Sequence, residues 1–151
     1  MKKLWNSFKI AFSMFSKIPM PQAEWTEENM SYAMCFFPWV GAVTGGISYL
    51  VVLFADLLKE REISFGSLFF PAVLTVLPVL ISGGIHMDGF LDTVDARSSH
   101  QSRERKLEIL KDPHAGAFAI AGCGVYLLFY AAAFSEMRPE AFPGIAGVFV
   151  M

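Results

Sequence analysis

Apolar residues fall into blocks along this chain, and the blocks differ in period. Near the N-terminus Leu4, Phe8, Phe12, Phe15 and Ile18 recur at steps of three and four, with Lys2, Lys3, Lys9 and Lys17 lying mostly to the other side. This is the pattern of an amphipathic helix with cationic flanks, suited to lying in the headgroup region of a bilayer. A secretory signal is excluded, because Lys9 and Lys17 interrupt the apolar run and no small-x-small cleavage site follows. Pro19 and Pro21 end the helix, and residues 22–29 form a polar, acidic connector.

Beyond the connector the blocks become continuous. No charged residue occurs between Glu28 and Asp56. The run Tyr32–Ala55 can therefore cross about 30 Å of hydrocarbon with some tilt. Within it Gly41-x-x-x-Gly45, followed by Gly46, offers a smooth surface for close helix packing. A phosphate-cradling loop would need a Lys-Ser/Thr pair after the glycines, and none is there. Residues 56–64 read as a short charged loop. A second span runs from about Phe65 to Ser82 and carries Pro71 and Pro78. Those prolines predict a bend, either one that delivers the polar segment after it or a kink that serves packing alone. His86–His114 is the longest polar segment, with a surface helix over Arg103–Lys111, Ser102 at its N-cap and Pro113 beyond its end. A third span follows over Ala115–Phe134. A fourth apolar stretch begins at Ala141, and its eleven residues are too few to cross. The pattern predicts an all-α polytopic membrane protein: an interfacial helix, three complete transmembrane helices and the start of a fourth, in one membrane domain over residues 1–151.

Composition supports that class. Of 151 residues 54% are apolar, including 15 Phe, more than a soluble domain of this size can hide. A net charge of −2 leaves no basic footprint for nucleic acid. Cys35 and Cys123 lie within apolar runs, without the paired spacing of a zinc site or disulfide framework, and read as small packing residues. The cations set an orientation. Four lie in the N-terminal segment and five between His86 and His114, against Lys59 and Arg61 in the first loop and Arg138 in the third. An even number of crossings separates the two rich segments, so both are expected on the cytoplasmic side.

Chemistry concentrates just after the second span. Asp88, Asp92 and Asp95 follow at steps of four and three, which places them on one helical face with no Lys or Arg between them. Carboxylates that close resist ionising together, and a hard divalent cation removes the conflict. The competing reading is a solvated helix end, with Asp88 as the N-cap. His86, two residues before Asp88, is either a general base near an incoming hydroxyl or a hydrogen-bonded boundary residue. Arg97, Arg103 and Lys111 can hold pyrophosphate oxygens, or serve only as positive-inside determinants.

The stretch Gly83-Gly84-Ile85-His86-Met87-Asp88-Gly89-Phe90-Leu91-Asp92-Thr93-Val94-Asp95 resembles the signature of the cobalamin synthase family, the adenosylcobinamide-GDP ribazoletransferases. Phe15–Pro21, Phe37–Gly41 and Ser102–Asp112 resemble further stretches of the same family, so the likeness covers most of the chain. It departs at Ala96 and near Ala119, where the family usually or often has Gly. The resemblance implies a prokaryotic cytoplasmic-membrane enzyme with Mg²⁺ as its metal, held by Asp88, Asp92 and Asp95. It implies that α-ribazole, or its 5′-phosphate, attacks the phosphate that links cobinamide to GMP, and the 5′ end is expected to be the attacking end. The products are then adenosylcobalamin, or its 5′-phosphate, and GMP. Family members continue through further membrane helices, so residues 1–151 are expected to be the N-terminal part of a longer domain and inactive alone.

Three other classes are weighed against this. A CDP-alcohol phosphotransferase would follow Asp-Gly at fixed spacing with Ala-Arg and later acids, which are missing after Asp88-Gly89. A prenyltransferase would carry a second Asp-rich motif. A transporter fragment with a cation site would set its acids within a span, whereas these follow one.

Overall fold

The computed structural model describes residues 2–149. Among them every regular element is helical: α1 (Lys2–Phe15), α2 (Glu27–Met30), a 3₁₀ turn (Ala33–Phe36), α3 (Phe37–Glu60), α4 (Phe69–Ser82), α5 (Ile85–Ser98), α6 (Arg103–Ile109), α7 (Ala117–Ser135), a second 3₁₀ turn (Pro139–Ala141) and α8 (Phe142–Val148). Two segments, Glu27–Glu60 and Ala117–Ser135, are long and apolar enough to cross a membrane. A third crossing is reached only if α4 and α5, bent by 97° at their junction, count as one span. The apolar helices place the chain among integral membrane proteins.

Two expectations shift. The segment expected to be a charged loop from Asp56 is instead the last turn of α3, which runs on to Glu60. The second span is shorter than expected, since the 14 residues of α4 reach only about 21 Å. Its bend lies at neither proline. Pro71 sits in the first turn, where no N–H partner is needed, and Pro78 lies inside a helix that continues to Ser82. The chain turns at Gly83 and Gly84, whose φ angles of 67° and 81° are left-handed. Two such residues in succession are costly for any side chain with a Cβ. At Gly83 an added Cβ would also overlap the Lys17 stem.

The N-terminal unit is held by polar contacts as much as apolar ones. Ile10, Ala11 and Ala33 form a small core, with Ala23 and Phe36 against it. Across α1, Ser7 Oγ donates to the Asn29 carbonyl at 2.7 Å and Asn29 Nδ2 donates to the Glu24 carbonyl at 2.8 Å. Lys9, expected on the outward polar side, is buried, and its ammonium donates to the Gln22 carbonyl at 2.7 Å. The connector folds back across α1 and supplies the acceptor, which reverses the expected facing at this position. Leu4 and Trp5 are left exposed. The Lys17 backbone N–H then donates to the Ile81 carbonyl at 2.7 Å, which ties the end of the N-terminal segment to the end of α4.

A second core joins α4, α7 and α8 around Leu74, Phe134 and Phe142. Aromatic rings continue it along α7, with Tyr126 and Tyr130 centroids 5.6 Å apart and Tyr130 and Phe134 4.9 Å apart. After Ala141 the chain forms α8, which packs on α3, and the glycine pattern explains how. A Cβ at Gly45 would collide with the Ala146 carbonyl, while one at Gly46 would meet nothing within 4 Å. Gly45→Val should therefore lower the thermal midpoint in nanodiscs by several degrees and Gly46→Val should not. Equal midpoints for the two variants would remove Gly45 from the α3–α8 contact.

Candidate functional site: the acid face of α5 and the aromatic cavity beside it

The left-handed pair Gly83–Gly84 starts α5, and Gly84 is its N-cap. Asp88 is thus not the cap. It lies one turn in, with its backbone N–H on the Gly84 carbonyl at 2.8 Å and its side chain exposed. Asp92, half-buried, follows one turn later on the same face. Neither carboxylate makes a hydrogen bond or ion pair among the described residues.

Asp95 is engaged differently. One of its carboxylate oxygens accepts the Gly116 N–H and the other accepts the Ala119 N–H at 2.9 Å. These are orphan donors at the start of the 19-residue α7, where the helix dipole also favours a negative charge. The carboxylate comes so close that a Cβ at Gly116 would overlap it. Ala119, 1% exposed, fits the same tight approach. The three acids therefore share a face without converging, and no group of three His, Cys, Asp or Glu side chains among the described residues is arranged to hold a metal ion.

His86 faces elsewhere. At about 100° per residue it lies roughly opposite Asp88 on the helix, and Phe90 lies within about 40° of it. Its ring stacks on Phe15 with centroids 6.5 Å apart and meets the edge of Phe37 at 5.7 Å. These residues line a cavity of about 340 Å³, with Tyr126 and Tyr130 of α7 forming another wall. Phe90 and Tyr126 lie 5.4 Å apart there. Arg97 is exposed in the last turn of α5, Arg103 in the first turn of α6, and Lys111 beyond α6; none pairs with an acid among the described residues.

Ser102 caps α6 as expected, accepting the Arg105 N–H at 3.4 Å. His114, without a visible partner in the sequence, hydrogen-bonds through Nδ1 to Asp112 at 2.8 Å. The Asp112 carboxyl is held below its usual range by the His114 backbone N–H and then by the ring. Two features had no clear sequence signal. The cavity draws its walls from five separate helices and from Phe149 at the end of α8, and the Asp95 tie joins positions 21 apart.

The model of the cobalamin-5-phosphate synthase family matches residues 7–151. Three relatives named adenosylcobinamide-GDP ribazoletransferase are similar to the chain. The protein of Lachnoclostridium phytofermentans is 58% identical over 125 residues, covering 83% of this chain and 46% of the relative. That of Desulfitobacterium hafniense is 38% identical over 129 residues, or 85% and 47% of the two chains. That of Carboxydothermus hydrogenoformans is 35% identical over 136 residues, or 89% and 51%. The chain spans about half the length of these curated relatives. No solved structure matches it. With its family model covering all but the first residues, and the signature glycines starting the acid-bearing helix, the chain belongs to the cobalamin-5-phosphate synthase family.

Proposed function

We propose that this chain carries the phosphate-reacting part of an adenosylcobinamide-GDP ribazoletransferase in a prokaryotic cytoplasmic membrane. In that reaction a ribose hydroxyl of α-ribazole attacks the phosphorus bonded to cobinamide. The new bond is ribose oxygen to phosphorus, the bond broken is phosphorus to the oxygen of GMP, and the hydroxyl proton leaves. The 5′-phosphorylated acceptor keeps its phosphate in the product, so the attacking hydroxyl is not the 5′ one.

The observation that carries this reading is the pair Asp88 and Asp92, one turn apart on α5 and without a protein partner, directly after the glycine bend. Oxygen donors of this number suit Mg²⁺, which takes one or two carboxylates and completes its shell with water and substrate phosphate. When bound there, Mg²⁺ would neutralise charge on the phosphate oxygens. Asp95, with both oxygens already accepting N–H groups, holds α5 against α7 and is proposed as a ligand only through its remaining lone pairs. His86, facing the cavity, is the candidate to take the hydroxyl proton on an imidazole nitrogen. Arg97, Arg103 and Lys111 supply positive charge toward the pyrophosphate. The test is a chimera in which residues 1–151 replace the matching segment of the Lachnoclostridium phytofermentans relative. It should release GMP from adenosylcobinamide-GDP only when α-ribazole or its 5′-phosphate is present. A correctly inserted chimera that releases none overturns the reading.

The same reading sets α1 in the interface and α5 on the cytoplasmic side. It is supported by the cation count and by the Lys17–Ile81 hydrogen bond, which puts the cationic segment and the acid-bearing helix at one end of the bundle. All three tryptophans are more than half exposed, as anchors in a headgroup layer would be. With Cys35 and Cys123 replaced by Ala, Gln101→Cys should react with an impermeant maleimide only in inverted vesicles, and Glu60→Cys only in right-side-out ones. The opposite pattern removes the orientation.

A further inference from the structure

We propose that the aromatic cavity between α1, α3, α4, α5 and α7 holds the flat bicyclic base of ribazole, and that the ribose leaves it across Gly89 toward Asp88 and Asp92. This rests on the ribazoletransferase reading above and assigns one substrate to one place within it.

Size and lining select among the groups the reaction brings together. At about 340 Å³ the cavity lies at the small end of ligand pockets, too small to enclose a corrin macrocycle with its side chains. Guanine would bring two donors and an acceptor along one edge, each needing a partner once buried. Among the described residues no carboxylate, amide, lysine or arginine side chain lines the cavity, and its Thr44, Thr75 and Ser82 hydroxyls already donate to the Val40, Pro71 and Val79 carbonyls. The dimethylbenzimidazole of ribazole has two apolar faces, two methyl groups and, once glycosylated, a single ring acceptor. The rings of Phe15, Phe37, Phe90, Tyr126 and Tyr130 match those faces. The Tyr126 and Tyr130 hydroxyls match the acceptor; among the described residues neither has a hydrogen-bond partner.

The route to the acids follows from the helix itself. At about 100° per residue, Gly89 lies midway between His86 on the cavity side and Asp92 on the acid side, about 60° from each. Among the described residues, and apart from the adjoining residues and backbone of α5 itself, no heavy atom comes within 4 Å of the place where a side chain at Gly89 would begin. The missing Cβ leaves an open notch between the two faces within the first turn and a half of α5.

Equilibrium dialysis against the 151-residue chain in nanodiscs tests the cavity, since the lining residues on which the proposal rests lie in this chain. Dimethylbenzimidazole, α-ribazole and α-ribazole 5′-phosphate should compete for one saturable site, and guanosine should not. Val79→Phe, which fills the cavity, and Tyr130→Ala, which removes a wall, should each weaken binding tenfold or more with helix content unchanged. If one of them fails to insert, the other and the competition series still decide. Gly89→Leu should leave dimethylbenzimidazole binding within twofold and lower GMP release by the chimera tenfold or more. Binding of α-ribazole that ignores the cavity variants, or equal binding of guanosine, overturns the proposal. So does a cavity that retains lipid and binds no dimethylbenzimidazole. Should the chimera still release GMP with α-ribazole in those cases, the transferase reading stands and only the placement of the base falls. Absence of both binding and release removes both.

Discussion

Asp92→Asn is expected to lower GMP release by the chimera about a hundredfold or more, the equivalent of about 3 kcal/mol of transition-state stabilisation. The substitution keeps side-chain size and one carbonyl oxygen but removes a negative charge from the acid face. Asp92 makes no hydrogen bond or ion pair among the described residues, so the fold loses no tie and expression should hold. Part of the loss should return at higher Mg²⁺, because weaker metal binding is reversed by mass action, whereas weaker charge neutralisation is not. Asp56→Asn is the matched control: an exposed acid on α3, far along the sequence from the glycine bend, whose loss should leave the rate within twofold. Near-normal turnover by Asp92→Asn, with an unchanged Mg²⁺ requirement, ends the metal reading of this face. Loss of insertion instead would make Asp92 a structural residue, against its lack of contacts.

That face was legible because its information is local. Steps of four and three fix which side of a helix the acids share, whatever the rest of the chain does. The third span and the Ser102 cap were legible for the same reason. What the sequence hid depends on contacts between distant positions. Lys9 looked like an outward cation until the connector folded across α1 and offered the Gln22 carbonyl. The bend after the second span was sought at prolines, which interrupt hydrogen bonds, yet α4 absorbs Pro78 and the chain turns where two adjacent residues lack a Cβ. The glycine pair was visible in the signature, but its left-handed geometry was not. Gly45 showed the reverse case: close packing was readable from spacing, while its partner, α8, was not, and Gly41 lines the cavity.

The same distinction separates Asp95 from its neighbours and gives the sharpest test of the site. If its main work is to cap α7, Asp95→Ala leaves the Gly116 and Ala119 N–H groups without an acceptor, at a cost of about 1–3 kcal/mol. Asp95→Asn keeps one good acceptor and should cost roughly half as much. Gly116→Ala removes no charge and no oxygen, yet its Cβ would occupy the place of the Asp95 carboxylate, so it should destabilise to a similar extent as Asp95→Ala. All three variants should then show turnover that falls in step with the folded fraction, and a Mg²⁺ half-saturation unchanged from the parent. Asp92→Asn, by contrast, should shift that half-saturation while leaving the thermal midpoint alone. Midpoint and Mg²⁺ titration, measured on the same preparations, therefore separate a cap from a ligand. A stable Asp95→Asn with a raised Mg²⁺ requirement, beside a silent Gly116→Ala, would return Asp95 to the metal and dissolve the tie between α5 and α7.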